Sequence, residues 1–341
     1  MTRPAPERGY RAEFPHGLMF HRFGDTQSVR QRQGTLTAEE FERILVFVGL
    51  KNIRTPGEWI RSVEAGTLGN RDFCITFDDG LRCQLEHALP VLERHGLKAF
   101  WFVYSCVFEG VFVKSEIYSS VGDQIGGMET LIAALLKRCP QSLLSLFETE
   151  AFREYSEQMS RVAPFYSAND RKFRFLRNRA ESRAEFEDLM DALLVDYGFP
   201  LDRVAQALWL RDSDLKSLVE SGHCLGLHSY DHPYAMAELS YEHQLAQYQR
   251  NHRHLSTLCP SGVVCMSHPL NSYNEQTLDV LRRLGIQCGF RANTAPPPGG
   301  RINPSPLELA REDSANLLRM ANQTTQSKPK NTHTPHRSQK G

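Results

Sequence analysis

The densest chemistry in this 341-residue sequence is Asp78-Asp79, which closes the apolar run Phe73-Cys74-Ile75-Thr76-Phe77 and is followed by Gly80. Successive side chains on a strand point to opposite faces. Where the chain leaves the sheet, however, both carboxylates can turn into one cleft. Two carboxylates held close together need a neutralising cation or a shared proton. The later segment His228-Ser229-Tyr230-Asp231-His232 supplies two imidazoles four residues apart. If that turn enters a helix, positions i and i+4 share a face, a spacing suited to two imidazoles on one metal. Two histidines and one aspartate form a three-ligand set with positions left open for water and substrate, which is a catalytic arrangement.

These residues need a frame that brings strand ends together. Phe73–Phe77 reads as a strand, Leu81–His95 as a helix stopped by Gly96, and the apolar run 98–105 as a second strand, together one β-α-β unit. The alternation returns late. A helix ends at Gly222, "CLGLHS" is a strand, "YEHQLAQYQRNHRHLSTL" a helix, "VVCMSHP" a strand, "NEQTLDVLRRLG" a helix and "IQCGFRA" a strand. Near the start, "GLMFHRF" is a short strand carrying His21, and two helices follow it. Thr37 with Glu40 forms a capping box for the first, and Thr55 with Pro56 opens the second. Repeated strand–helix alternation means a parallel sheet, open or closed.

Residues 109–210, rich in charge and helix formers, lack that alternation and read as a helical insertion. Residues 1–16 read as a flexible arm, 17–315 as one domain, and the polar stretch 322–341 as a disordered tail.

Lys+Arg and Asp+Glu number 40 each, so the balance offers nothing for nucleic acid or an anionic membrane. No run of 18 apolar residues exists to cross a bilayer. The N-terminus has no apolar signal-type segment, and the eight cysteines form no CxxC pair, so the expected address is cytoplasmic with reduced, buried thiols. In the run around Trp101, core packing competes with a sugar-stacking platform, and packing is the expectation.

"TFDDG", "GHCLGLHSYDHP" and "MSHPLNSYNEQTLDVLRRLGIQCGFR" resemble the first three motifs of the polysaccharide deacetylases (NodB homology, carbohydrate esterase family four). The resemblance covers roughly residues 70–105 and 208–293. It implies an α/β fold, a distorted (β/α) barrel with its site at the C-terminal strand ends, here carrying the helical insertion. By position it implies Asp78 as general base, with Asp79, His228 and His232 holding a divalent metal, commonly Zn2+, with Co2+ or another divalent ion as alternatives. Such an ion activates water and polarises an amide carbonyl while Asp78 takes the proton. Ser229, Tyr230 and Pro269 fall around the ligands as supporting or substrate-contacting residues.

The third motif departs from the family pattern. Ser267-His268-Pro269-Leu270-Asn271 stands where an Arg-Pro-Pro-Tyr-Gly run is usual, so the arginine that would orient the base is missing. Neither the Asp-x-x-Asp-Trp motif nor the Leu-x-Ile-x-x-His motif is recognisable. His21 and His268 are the candidates for protonating the leaving amine, with Arg311 and Asp313 behind them.

The leading expectation is hydrolysis of an N-acyl, chiefly N-acetyl, group on an amino sugar or glycan precursor in surface-polysaccharide assembly. The alternatives are a non-sugar amide or imide hydrolase, and a binding protein that keeps the fold without catalysis. Oligomeric state is not legible from the sequence.

Overall fold

The structure is a computed structural model that describes residues 10–25, 34–162, 166–297 and 300–326. Its centre is a seven-stranded parallel sheet in the spatial order β8-β7-β6-β5-β4-β1-β9. The strands are β1 (His16–Phe20), β4 (Phe73–Phe77), β5 (Ala99–Val103), β6 (Cys224–Leu227), β7 (Cys265–Ser267), β8 (Cys288–Phe290) and β9 (Arg311–Asp313). The two remaining strands, β2 (Arg22–Phe23) and β3 (Thr35–Leu36), pair in parallel beside it.

The outer strands nearly meet. Arg291 donates its amide to the Leu309 carbonyl at 2.8 Å, and Leu309 donates to Gly289 at 2.9 Å. The segment leading into β9 thus lies against β8, and the sheet is a barrel closed but for a short gap. All five residues of β1, β4 and β5 are buried. This is why those stretches read as continuous apolar runs: a parallel sheet covered on both faces has no polar side. Trp101 is part of this core, its ring centroid 4.5 Å from that of Phe77, and offers no platform to solvent.

The helix Ala38–Val48 starts at a capping box between Thr37 and Glu40, and Pro56–Ala65 starts at one between Thr55 and Glu58. In each, the threonine hydroxyl and the glutamate satisfy amides that the helix leaves open. After the Asp-Asp-Gly turn the expected helix is wound differently. Gln84–Ala88 is a π-helical turn that passes into the α-helix Leu89–Arg94. Such turns recur at functional sites.

Between β5 and β6 the chain is helical, with helices from Lys114–Gln124 through Leu201–Leu208 and Asp212–Glu220 and no strand among the described residues. Much of this segment packs around its own apolar cluster, including Ile117, Val121, Leu131, Leu135, Phe186 and Leu193. It returns to the barrel beside the Asp-Asp-Gly turn, where Leu210 donates its amide to the Gly80 carbonyl at 2.9 Å.

Both terminal expectations need adjustment. The arm expected over 1–16 is packed from Tyr10 onward, because the Tyr10 hydroxyl meets His16 Nε2 at 2.9 Å and its ring lies against Phe47 and Phe73. Residues 1–9 lie outside the described residues. The tail expected from 322 is helical at first, since Ser314–Gln326 forms one helix, with Leu317 and Ala321 buried; 327–341 lie outside the described residues.

Candidate active site

The site forms at the C-terminal ends of β1, β4, β6 and β7. Phe20 and Phe77 are register partners, so His21 and Asp78 leave the sheet side by side. The buried Gln84 amide fixes that exit by donating to the carbonyls of both His21, at 2.8 Å, and Asp78, at 2.7 Å. Asp79 then takes a left-handed backbone, with φ 75°, and Gly80 follows with φ 60°. A Cβ on Gly80 would also approach Val103 to 3.1 Å, so glycine suits the turn twice over.

After β6, Ser229 and His232 are left-handed as well, with φ 67° and 54°. Each such non-glycine residue costs on the order of 1–3 kcal/mol and persists where the surroundings over-determine it. Here the Ser229 hydroxyl accepts the His232 amide at 3.1 Å. Asn251 donates to the Val103 carbonyl at 2.9 Å and accepts the His228 amide at 2.9 Å, which ties β5 to the ligand turn.

This turn brings both imidazoles to Asp79. Nε2 of His228 lies 3.6 Å from Asp79 Oδ1, and Nε2 of His232 lies 3.7 Å from the same oxygen. One donor atom from each of the three residues falls within 4.8 Å of the others. Hard carboxylate oxygen with two imidazole nitrogens is a fitting donor set for a divalent ion such as Zn2+. The His228 ring is oriented from behind: Nδ1 lies 3.0 Å from the Ser267 carbonyl and 2.7 Å from its hydroxyl, which leaves Nε2 for the cluster.

Asp78 stands next to this cluster but has its own partner. Its Oδ1 and Oδ2 each accept from a terminal nitrogen of Arg311 at 2.7 Å. Ser267 Oγ donates to Oδ1 at 3.1 Å, while Oδ2 lies 3.6 Å from His21 Nε2 and 4.0 Å from His228 Nε2. Burial alone would raise the Asp78 pKa. The positive charge of Arg311, then that of His228, outweighs burial and holds it at about 2. Asp79 is likewise buried and likewise held well below the ordinary carboxylate range, by the hydrogen bond from His228 and the charge of His232. Burial lowers His228, yet Asp78 and Asp79 carry it above its usual value, whereas burial and the charge of His228 push His232 down to about 4.

Sequence reasoning placed the orienting arginine in the third motif and did not find it there. The guanidinium arrives instead from β9, on the far side of β1. Arg311 is register partner to Gly17 and runs up the barrel interior, fully buried, donating to the Arg291 carbonyl at 2.7 Å and to Thr76 at 3.3 Å. A Cβ on Gly17 would come within 3.0 Å of the Arg311 stem, so glycine in β1 leaves it room. Ser267, where the third motif usually has arginine, fills that space with a hydroxyl.

The remaining expected residues separate. His21 faces the cleft with its side chain about one-third exposed, at 35%. His268 does not enter it. Its Nε2 meets the Leu307 carbonyl at 2.9 Å, its ring stacks on Tyr273 with centroids 4.2 Å apart, and burial pushes its pKa down to about 3. Asp313 accepts the Ala315 amide at the start of the last helix. The Tyr230 hydroxyl donates to Glu109 at 2.9 Å, and the buried Pro269 opens the turn after β7.

The family model described as "Polysaccharide deacetylase" matches residues 193–289, a span that holds His228 and His232. Over that span the chain is similar to the polysaccharide deacetylases. The match assigns the chain to the hydrolases of carbon–nitrogen bonds other than peptide bonds. Its fold is shared with the Streptococcus pyogenes deacetylase PplD, solved in complex with acetate, at 15% identity and TM-score 0.52 over 92% of this chain and 99% of that one. It is also shared with IcaB from Ammonifex degensii, at 15% identity and TM-score 0.50 over 92% and 98% of the two chains. At these identities the likeness is one of fold. No curated protein matches the sequence.

Proposed function

We propose that this chain is a metal-dependent N-deacetylase acting on an N-acetylated amino sugar within a glycan or glycan precursor, in surface-polysaccharide assembly. The reading rests on one observation: a carboxylate clamped by a buried arginine stands beside an Asp-His-His cluster, with a half-buried histidine on its open side. Asp79, His228 and His232 would hold a divalent ion, which supplies Lewis-acid polarisation of the acetyl carbonyl and an acidified water.

The chain's own residues divide the proton work. Asp78, kept ionised by Arg311, is the general base and takes the proton from the attacking water. Arg311 and Ser267 occupy one side of that carboxylate, so the proton is received at the side facing His21 and His228. Nδ1 of His228 is occupied by Ser267, which keeps Nε2 as the ligand atom. His21, on the solvent side, is the group placed to deliver a proton to the departing amine. C–N cleavage then leaves acetate and a free amino sugar.

Acetate release from a panel of N-acetylhexosamine oligomers and sugar nucleotides, assayed with Zn2+ or Co2+ and again after chelation, tests the reading. Metal-dependent release from at least one substrate is expected. Release that survives chelation and dialysis would remove the metal from the mechanism, and no release from any acetylated sugar would overturn the activity.

A further inference from the structure

The helical segment inserted between β5 and β6 carries a run of cations, Arg171, Lys172, Arg174, Arg177, Arg179 and Arg183, along two consecutive helices, Ala168–Asn178 and Ala180–Asp196, and the junction between them. Among the described residues no carboxylate lies within ion-pair distance of Arg174, Arg177 or Arg183. Arg174 lies over the Tyr166 ring at 3.9 Å, and Arg177 and Arg183 both lie over the ring of Tyr234, at 5.3 and 4.9 Å. Arg177 also donates to the neighbouring Asn178 side chain at 2.9 Å. Nε of Arg183 is buried with no hydrogen-bond partner.

A guanidinium withdrawn from water without an anion is costly, and one with an unmet buried N–H more so. Burial and the like charge of Arg174 act against the charged form of Arg177. The groups favouring it are the phenols of Tyr234 and Tyr155 and the more distant Glu116, which is already paired with Arg22. Native proteins satisfy such groups, so three together imply an absent partner of opposite charge.

Their place matters as much as their charge. Tyr234, the ring shared by two of the arginines, follows the ligand His232 by two residues, a span of at most about 7 Å of chain. Tyr234 thus ties Arg177 and Arg183 of the inserted helices to the turn that carries His232. Arginine forks match phosphate and carboxylate oxygens in pairs.

We infer that Arg177 and Arg183, which share the ring of Tyr234, with Arg174 one helical turn from Arg177, bind an anionic group of the substrate, so that the amino sugar presented to the metal cluster carries a phosphate or carboxylate close to its acetamido group. This rests on the deacetylase reading of the neighbouring cluster and names the substrate class for it.

The test compares kcat/KM for acetate release from three N-acetylglucosamine probes. One is a neutral oligomer, one is linked to a nucleoside diphosphate, and one alternates with a uronic acid. The native protein should favour one anionic probe over the neutral one by at least about tenfold, less so as salt is raised. Which probe wins tells phosphate from carboxylate. In the double variant Arg177→Gln with Arg183→Gln that ratio should fall toward one, with partial recovery in the corresponding Lys pair. A variant that merely misfolds loses all probes together and is replaced by the Lys pair. Equal rates on all three probes in the native protein, or a ratio untouched by the Gln pair, overturns the inference while leaving deacetylation standing. If no probe is hydrolysed, the deacetylase reading fails. Calorimetric titration with pyrophosphate and with free glucuronate then decides the anion site. At least tenfold weaker binding of one of them in the Gln pair supports it, and unchanged binding removes it.

Discussion

Each carboxylate oxygen of Asp78 lies 2.7 Å from a different terminal nitrogen of Arg311, and the two residues come from strands on opposite sides of β1. The arginine thus does from β9 what an arginine in the third motif would do from β7. Removing it should be visible in the pH profile. Asp78 is held at about 2 in the fold, against about 3.9 for a free aspartate. A lowered pKa means that the pair's stabilisation is complete above the unfolded value and is lost as pH falls through about 2. In Arg311→Met, burial, which raises Asp78, loses its main opponent. The acid limb of kcat/KM should move to higher pH and metal content should hold. Arg311→Lys restores charge without the fork and should fall between. An acid limb unmoved in Arg311→Met would show that Arg311 does not govern the base.

Why Arg311 read as a minor candidate for the amine's proton, and not as the partner of Asp78, is a matter of strand length and side-chain type. The strands β1, β4 and β5 announced themselves because a parallel strand covered on both faces is a continuous apolar run. Arg311–Asp313 is three charged residues long, and a buried arginine on a strand runs against the usual placement of that side chain. His228 and His232 could be paired from their spacing together with the Asp-Asp-Gly turn, although the turn that joins them is made by left-handed Ser229 and His232 and not by a helix. The two acid candidates could not be separated, because ring direction is fixed by packing. Tyr273 and the Leu307 carbonyl claim His268, while register with β4 sets His21 beside Asp78. The Arg174, Arg177 and Arg183 group was visible as charge, but the tie of Arg177 and Arg183 to the turn that carries His232 came only with Tyr234.

Asp78→Asn should separate catalysis from metal binding. The amide keeps the shape and cannot accept the water's proton, so a loss of roughly 10²–10⁴-fold in kcat is expected with bound metal undiminished. It also leaves Arg311 buried without its anion. Breaking a buried pair from one side costs about 3–5 kcal/mol, so the thermal midpoint should drop as well. Wild-type turnover in this variant would take the base role away from Asp78.

The ligand set makes its own demand on metal content. Asp79→Ala, His228→Ala and His232→Ala each remove one of three donors that lie within 4.8 Å of one another. Each variant should lose stoichiometric metal after dialysis, as read by elemental analysis. Ser267→Ala removes the 2.7 Å hydroxyl contact to Nδ1 of His228 but keeps the 3.0 Å contact to the backbone carbonyl, so metal binding should weaken by no more than about tenfold, the low end for such a partner. Full metal occupancy in Asp79→Ala would exclude that carboxylate from the site.

His21 can be tested by changing the leaving group. Its Nε2 stands 3.6 Å from Asp78 Oδ2 at the open side of the cleft, where a departing amine would need a proton. His21→Gln should lower N-deacetylation by roughly 10²–10⁴-fold, the usual worth of a positioned acid. An aryl acetate expels a phenolate that needs no proton, so its hydrolysis by the same variant should fall far less. Metal content should stay at the native level. Equal losses on amide and aryl ester would assign His21 to positioning Asp78 and leave the amine's proton to another group.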